Sequence, residues 1–230
     1  MTEPDLATSA DTFARLAIEL HDAPGVEETI DAVVQFAQQA LNCTYAGVAL
    51  YTRGSQAEIA AVTDPVVTAF YDQQIATDSG PLITALRERT AVLIRDTTAD
   101  ERWPELGAQA PGIRSVLDVP LATGDAPRHT VGVLGLYGAE PGAFTADDEA
   151  IAYVLAQHAS VAVASARHEE TMAQAVDARK LVGQAMGILM ERFDVDGDRA
   201  FAILKRYSQD TNTKLRDVAQ QLIDTRKLPH

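Results

Sequence analysis

Apolar positions change period along the chain, and the changes mark its elements. Phe13, Leu16, Ala17 and Leu20 fall at i, i+3, i+4 and i+7, which predicts an amphipathic helix over 11–21. Ala23-Pro24-Gly25 breaks it. A second helix is predicted from Val26 to Leu41, with Ile30, Val33, Val34 and Ala37 inward. Residues 1–10 are polar and acidic and predict a disordered N-terminus. The period then shortens to that of strands. Tyr45–Thr52 and Ala57–Thr63 read as a hairpin around Arg53–Gln56. Ala91–Asp96, Arg114–Leu121 and Thr130–Gly138 read as three more strands, the last two joined by a turn at Thr123–His129. Between the second and third strands, 65–88 reads as a helix, a stop at Ser79-Gly80-Pro81 and a short helix. Strand pairs with helices before and between them predict an α+β antiparallel sheet with helices on one face.

A different regime begins at Thr145. Thr145 and Asp148 fit a capping box, and Asp147, Asp148 and Glu149 sit where the helix dipole favours anions. No proline follows until after Phe193. One unbroken helix of that length would be about 70 Å long; the alternative is two helices joined by the polar His168–Thr171. Apolar or small residues at 151, 155, 162 and 165, with His158 between, and then at 172 and 176, keep coiled-coil spacing up to a break around His168. Toward the end, Val182, Met186, Leu189 and Phe193 form one apolar line and Leu181, Ala185 and Ile188 its neighbour. Gly183 and Gly187 interrupt this helix, each costing about 1 kcal/mol against Ala, which suggests close approach of another backbone or a ligand. After Asp194–Asp198, a helix over Arg199–Ser208 carries Phe201 and Leu204 as its apolar residues. Gln209–Thr213 leads to a third helix striped by Leu215, Val218, Ala219 and Leu222. The expected order is a disordered 1–10, an α+β domain over 11–164, a connecting helix or coiled coil over 145–178, and an all-α three-helix bundle over 179–225.

Charge changes the picture. The net charge of −14 argues against nucleic acid for the chain as a whole. Yet residues 1–164 hold 8 Lys and Arg against 23 Asp and Glu, while 165–230 hold 11 against 10. The first segment is therefore −15 and the second +1, and all four lysines (Lys180, Lys205, Lys214, Lys227) lie in the second. A basic working end on an acidic body is the expectation. The single cysteine, Cys43, excludes an internal disulfide framework and suits a reducing cytosol. Neither a leader peptide nor an apolar run of membrane length is evident, so a cytoplasmic protein without membrane contact is expected.

Catalytic chemistry finds little support. His21, His129, His158, His168 and His230 are scattered, and there is no metal-ligand pair, Gly-rich phosphate loop or nucleophile elbow. Asp96, Asp100, Glu101 and Glu105 are clustered, but carboxylates in a loop are usually just solvated. Trp103, between Arg102 and Pro104, reads as a packed loop anchor, and Cys43 as a small buried hydrophobe. No enzyme, no cofactor and no metal are expected.

Four separated blocks, Arg179-Lys180, Val182–Phe193, Ala200–Gln209 and Lys214–Ile223, resemble the ANTAR family of RNA-binding antitermination modules. Met186 stands where many members carry Lys or Arg, which removes one phosphate contact. The resemblance implies RNA-binding residues at Arg179, Lys180, Gln184, Arg192, Lys205, Arg206, Ser208, Gln209, Lys214, Leu215 and Arg216. Lys205-Arg206 and Lys214-Arg216 flank the connection between the second and third helices and are expected to converge with Arg192. Tyr207, Asn212 and Thr213 add stacking and hydrogen-bonding groups nearby. Upstream, Asp78–Leu86, Asp96–Glu105, Gly112–Leu121 and Val131–Ala156 resemble a GAF domain, of the type joined to ANTAR modules in actinobacteria. Many such relatives carry cysteine at the position of Leu82, so thiol sensing there is unavailable. GAF domains bind varied small molecules, and an unidentified ligand in this one is an open expectation.

Together the two resemblances imply a regulator whose bundle prevents transcription termination by binding paired hexaloops on two RNA hairpins. Two loops call for a homodimer, and RNA polymerase would be engaged only indirectly. A phospho-acceptor receiver in place of the GAF domain fails, because no lysine precedes Lys180. DNA binding fits poorly, since Val218–Thr225 offers few cations for a recognition helix. The alternative of another class is a small-molecule module whose helical tail serves dimerisation or a protein partner.

Overall fold

A computed structural model describes residues 23, 25–51, 57–122 and 130–227. The expected disordered N-terminus, the 11–21 helix and the turns at Arg53–Gln56 and Thr123–His129 lie outside the described residues. The chain divides into two compact units, residues 1–167 and 168–230.

The first unit is built on one sheet. Its elements are α1 (Val26–Ala40), β1 (Tyr45–Tyr51), β2 (Ala57–Val62), α2 (Pro65–Thr77), α3 (Pro81–Glu88), β3 (Val92–Ile94), α4 (Leu106–Gln109), β4 (Ser115–Ala122) and β5 (Thr130–Gly138). All pairings are antiparallel, in the order β2-β1-β5-β4-β3. Helices cover both faces of this sheet, not one as the strand pattern suggested. Ile30, Val33, Val34 and Ala37 of α1 pack with Val48, Leu117, Val119, Leu134 and Leu136 on one face. Phe70 and Tyr71 of α2 and Leu82, Ala85 and Leu86 of α3 pack with Ala49, Val116, Val133 and Tyr137 on the other. Burial on two sides explains why β4 and β5 read as near-continuous apolar runs.

Punctuation residues act locally. Asp64 caps α2 by accepting from the Val66 amide at 2.8 Å, with Pro65 in the first turn. Buried Gln74 holds α2 to α3, its Oε1 accepting from the Leu82 amide at 2.9 Å and its Nε2 donating to Phe70 O at 3.2 Å. Gly80 between them has φ 131°, open to glycine, and any Cβ there would strike Gln74. β3 is shorter than Ala91–Asp96 because the chain turns at Asp96, whose Oδ1 accepts from the Thr98 amide at 3.0 Å and hydroxyl at 2.7 Å.

The next element, α5 (Ala146–Phe193), is one helix of 48 residues. Thr145 and Asp148 form the expected box: Thr145 N donates to Asp148 Oδ2 at 2.8 Å and Asp148 N to Thr145 Oγ1 at 3.2 Å. In the first unit Ala152, Leu155, Ala156, Ala159 and Val163 face the sheet. The seam expected through 151, 155 and 162 is corrected accordingly, since Leu155 is wholly buried and Ile151 and Ala162 are half-buried. The exposed large apolar residues of that stretch are Tyr153, Val154 and Val161; further along, in the second unit, they include Met172 and Val176.

Candidate nucleic-acid interface

The second unit is completed by α6 (Gly197–Asp210) and α7 (Leu215–Thr225). Ala185 and Leu189 of α5, Ala200 and Leu204 of α6, and Val218, Ala219 and Leu222 of α7 form its core. One expectation fails here. Phe193 and Phe201 are 54% and 41% exposed, because Ala200 and Leu204, not Phe201, face inward on α6. A Cβ on Gly183 or Gly187 would meet nothing within 4 Å among the described residues, so both glycines stand open on the surface of the unit.

The α6–α7 connection is a bonded corner. Thr211 donates to Tyr207 O from its amide at 3.0 Å and its hydroxyl at 2.7 Å. Ser208 Oγ donates to Thr213 O at 2.7 Å, and Thr213 N donates back to Ser208 O at 3.1 Å. Asn212 takes φ 50°, the left-handed region asparagine tolerates best after glycine. Ser208 is therefore half-buried and spends its hydroxyl on the turn, and Leu215 packs on the bundle core.

Exposed cations stand on all three helices of this unit. A groove of about 270 Å³ is lined by Gln174, Asp177, Ala178 and Leu181 of α5 and by Arg216, Asp217 and Gln220 of α7. It brings the first turns of α7 to α5 at 174–181; Arg179 and Lys180 lie in that stretch and are exposed, but they do not line the groove. Lys205, Arg206 and Gln209 lie on the last turns of α6, leading into the same corner, and are exposed, as are Gln184, Lys214 and Arg216. Arg206 Nε lies 3.5 Å from Asp210 Oδ2 and Arg216 Nε 3.1 Å from Asp217 Oδ1, both on the surface. Arg192 does not join them. Its Nη1 donates to Arg226 O at 2.6 Å and its guanidinium carbon lies 5.7 Å from the Phe193 ring centre. Arg226 follows the last turn of α7, about 16 Å from the end that carries Lys214 and Arg216. The expected convergence of Arg192 with those cations is thus corrected: it closes the opposite end of α7.

In the first unit, Asp96 accepts from Arg114 through both oxygens (3.1 and 3.0 Å from Nη2). With the Thr98 donors, this holds its carboxyl down to about 2. Asp100 pairs with Arg102 at 2.7 Å, and Arg102 lies 4.7 Å over the half-buried Trp103. Two of the four loop carboxylates are therefore clamps rather than solvated charges. Tyr51, Ala57, Ile75, Asp78, Ile83, Leu86 and Arg87 line a cavity of about 370 Å³, with Asp78 and Arg87 paired to each other. Sequence reasoning passed over Asp118, wholly buried on β4; a lone acid in an apolar strand was the available signal. Among the described residues no cluster of His, Cys, Asp and Glu could hold a metal, and no helix is long and apolar enough to cross a membrane.

The family models match in the same two places: GAF domain over residues 23–164 and ANTAR domain over residues 170–223. No curated protein matches the sequence. Similar solved structures include the GAF domain of an Acinetobacter phosphoenolpyruvate-protein phosphotransferase (17% identity, TM-score 0.57, 74% of this chain and 99% of that one). Another is the free methionine-R-sulfoxide reductase of Neisseria meningitidis in complex with its substrate (16%, 0.58, 74% and 96%). The Stigmatella aurantiaca phytochrome photosensory core module matches 90% of this chain with 46% of its own (12%, 0.61). At these identities the likeness is one of fold. GAF plus ANTAR is a regulatory architecture, a sensor module with an RNA-binding antitermination module, although some fold neighbours are enzymes. The chain belongs to the GAF-domain family and carries an ANTAR domain after its GAF domain.

Proposed function

We propose that this chain is a cytoplasmic, signal-responsive regulator that prevents transcription termination by binding paired hexaloops on two RNA hairpins. The observation that supports the reading is the set of exposed cations on a bundle matched by the ANTAR model: Arg179 and Lys180 on α5, and Lys205, Arg206, Lys214 and Arg216 flanking the α6–α7 connection. Gln184 and Gln209 supply exposed amides beside them. Phosphates are held by the cations, and splayed loop bases by the amide and aromatic groups of the corner. Two copies serve the two loops, and RNA polymerase is engaged only through the transcript.

Replacing Lys205 and Arg206 together by Ala tests this. Each lost phosphate contact reduces the salt slope of binding by about 0.7 for single-stranded loops, so the double variant should bind a two-hairpin RNA more weakly and less salt-dependently. The fold should survive, because both side chains are exposed. Equal affinity at matched salt, with unchanged circular dichroism, makes these cations bystanders. It would favour the second reading, a helical tail for a protein partner, which has the exposed Met190, Phe193 and Phe201 in its support.

A further inference from the structure

The face of the sheet covered by α2 and α3 carries a polar layer that RNA binding does not use. Gly47, Gly135 and Asp118 are neighbours across β1, β5 and β4. Above them lie the hydroxyls of Tyr71 from α2 and Tyr137 from β5. A Cβ on Gly135 would overlap the Tyr137 hydroxyl and stand 2.5 Å from that of Tyr71, and one on Gly47 would stand 3.1 Å from Tyr71. The two phenol oxygens thus fill the space the glycines leave open.

Asp118, Tyr71 and Tyr137 are all wholly buried. The Tyr137 hydroxyl donates to Asp118 Oδ1 at 3.0 Å, while Asp118 Oδ2 and the Tyr71 hydroxyl have no hydrogen-bond partner among the described residues. A buried carboxylate oxygen with no donor is strongly disfavoured, whereas a carboxylic acid has a proton to give. Among the described residues no other charged side chain is buried, so none faces the anion there. β3 (Val92–Ile94) brings no titratable group, β5 brings Tyr137, and α2 brings Tyr71, its Asp72 and Asp78 being exposed. The charged residues of α3, Arg87 and Glu88, are exposed, and Arg87 is paired with Asp78. Arg114, just before β4, is committed to Asp96.

We infer that Asp118 is a proton-binding site of the first unit: its carboxyl, buried with one oxygen unpartnered, is held neutral by a proton and becomes an uncompensated buried anion when that proton leaves. Burial, opposed by the Tyr137 hydrogen bond, pushes Asp118 up to about 7. Both tyrosines are pushed well above their ordinary range, chiefly by burial, and stay neutral. The proton comes from and returns to solvent, so the site responds to pH near neutrality.

The unfolded carboxyl titrates near 4 and the folded one near 7. Between those values the folded state binds the extra proton. The site's contribution is full below pH 4, is lost as pH rises to 7, and is level above. At its limit the folding equilibrium changes tenfold per pH unit.

In the full-length chain, the carboxyl carbon resonance of Asp118, identified by its loss in Asp118→Asn, should titrate near 7. The difference between parent and D118N stability, from urea unfolding at pH 5 to 8, should follow the same curve. Tyr137→Phe, which removes the hydroxyl that donates to Asp118 Oδ1, should raise the midpoint further. A midpoint near 4, or parallel stability curves for parent and D118N, overturns the proposal. A midpoint unchanged or lowered in Y137F likewise overturns it. Should D118N fail to fold, the titration of the parent, assigned through the chain by backbone correlation, still decides.

Discussion

Single residues fix the behaviour of the first unit at low pH. Asp96 is held down to about 2, first by the Arg114 guanidinium and then by the Thr98 donors. Its folded value lies below its unfolded one, so it contributes stability above pH 4 that disappears as pH falls toward 2. Arg114→Gln should return its midpoint toward 4 and remove that part of the acid transition, followed by thermal melts from pH 2 to 5. Gly135→Ala tests packing at the same scale. Its methyl must displace the Tyr137 and Tyr71 hydroxyls, and overpacking of this kind costs about 1–3 kcal/mol in urea unfolding. These two positions also show what residue identity reveals. Asp96 stood out as one of four clustered acids, but its clamp depends on Arg114, 18 positions away, which no local pattern contains.

Elements were more legible than faces. Helical and strand periods located nearly every helix and strand within a residue or two, because period depends only on local spacing. Orientation depends on what lies opposite. Alternation is lost once both faces are buried, so the strands did not disclose the second helical layer. Phe193 and Phe201 misled in the other direction: large aromatics at helix ends completed an apolar line, yet Ala200 and Leu204 fill the space inside. Leu204→Ala should therefore cost about 2–5 kcal/mol and melt the bundle, whereas Phe201→Ser should leave its melting temperature nearly unchanged. Arg192→Ala removes the hydrogen bond that closes α7 and should cost about 1 kcal/mol. The salt slope of RNA binding should stay as in the parent. A slope reduced as in the Lys205 and Arg206 double variant would return Arg192 to the phosphate contacts.

For the whole molecule, the two-part division was visible in charge and period, while assembly was not. A seam of repeated spacing was present on α5, but the sheet takes one of its faces and leaves Val154 and Val161 outward. Exposed apolar residues at these positions, and at Met172 and Val176, fit pairing with a second copy. Light scattering should give a dimer mass for the parent and a lower mass for a Val161→Glu, Met172→Glu variant. A parent of monomer mass, with or without RNA, would sink the dimer. If RNA binding rests on the cations of the second unit, removing the acidic first unit should leave the affinity intact or raise it.

Cys43 gives the chain an experimental property of its own. It is buried to 9% exposure, and burial pushes its thiol up to about 11, so almost none of it is thiolate at neutral pH. The native protein should resist thiol reagents until denaturant exposes its one sulfur. A cysteine introduced at Gln209 or Val161 would then be the sole reactive thiol, and a dye or cross-linker could be directed to the RNA corner or to the outward face of α5 without removing a natural residue first.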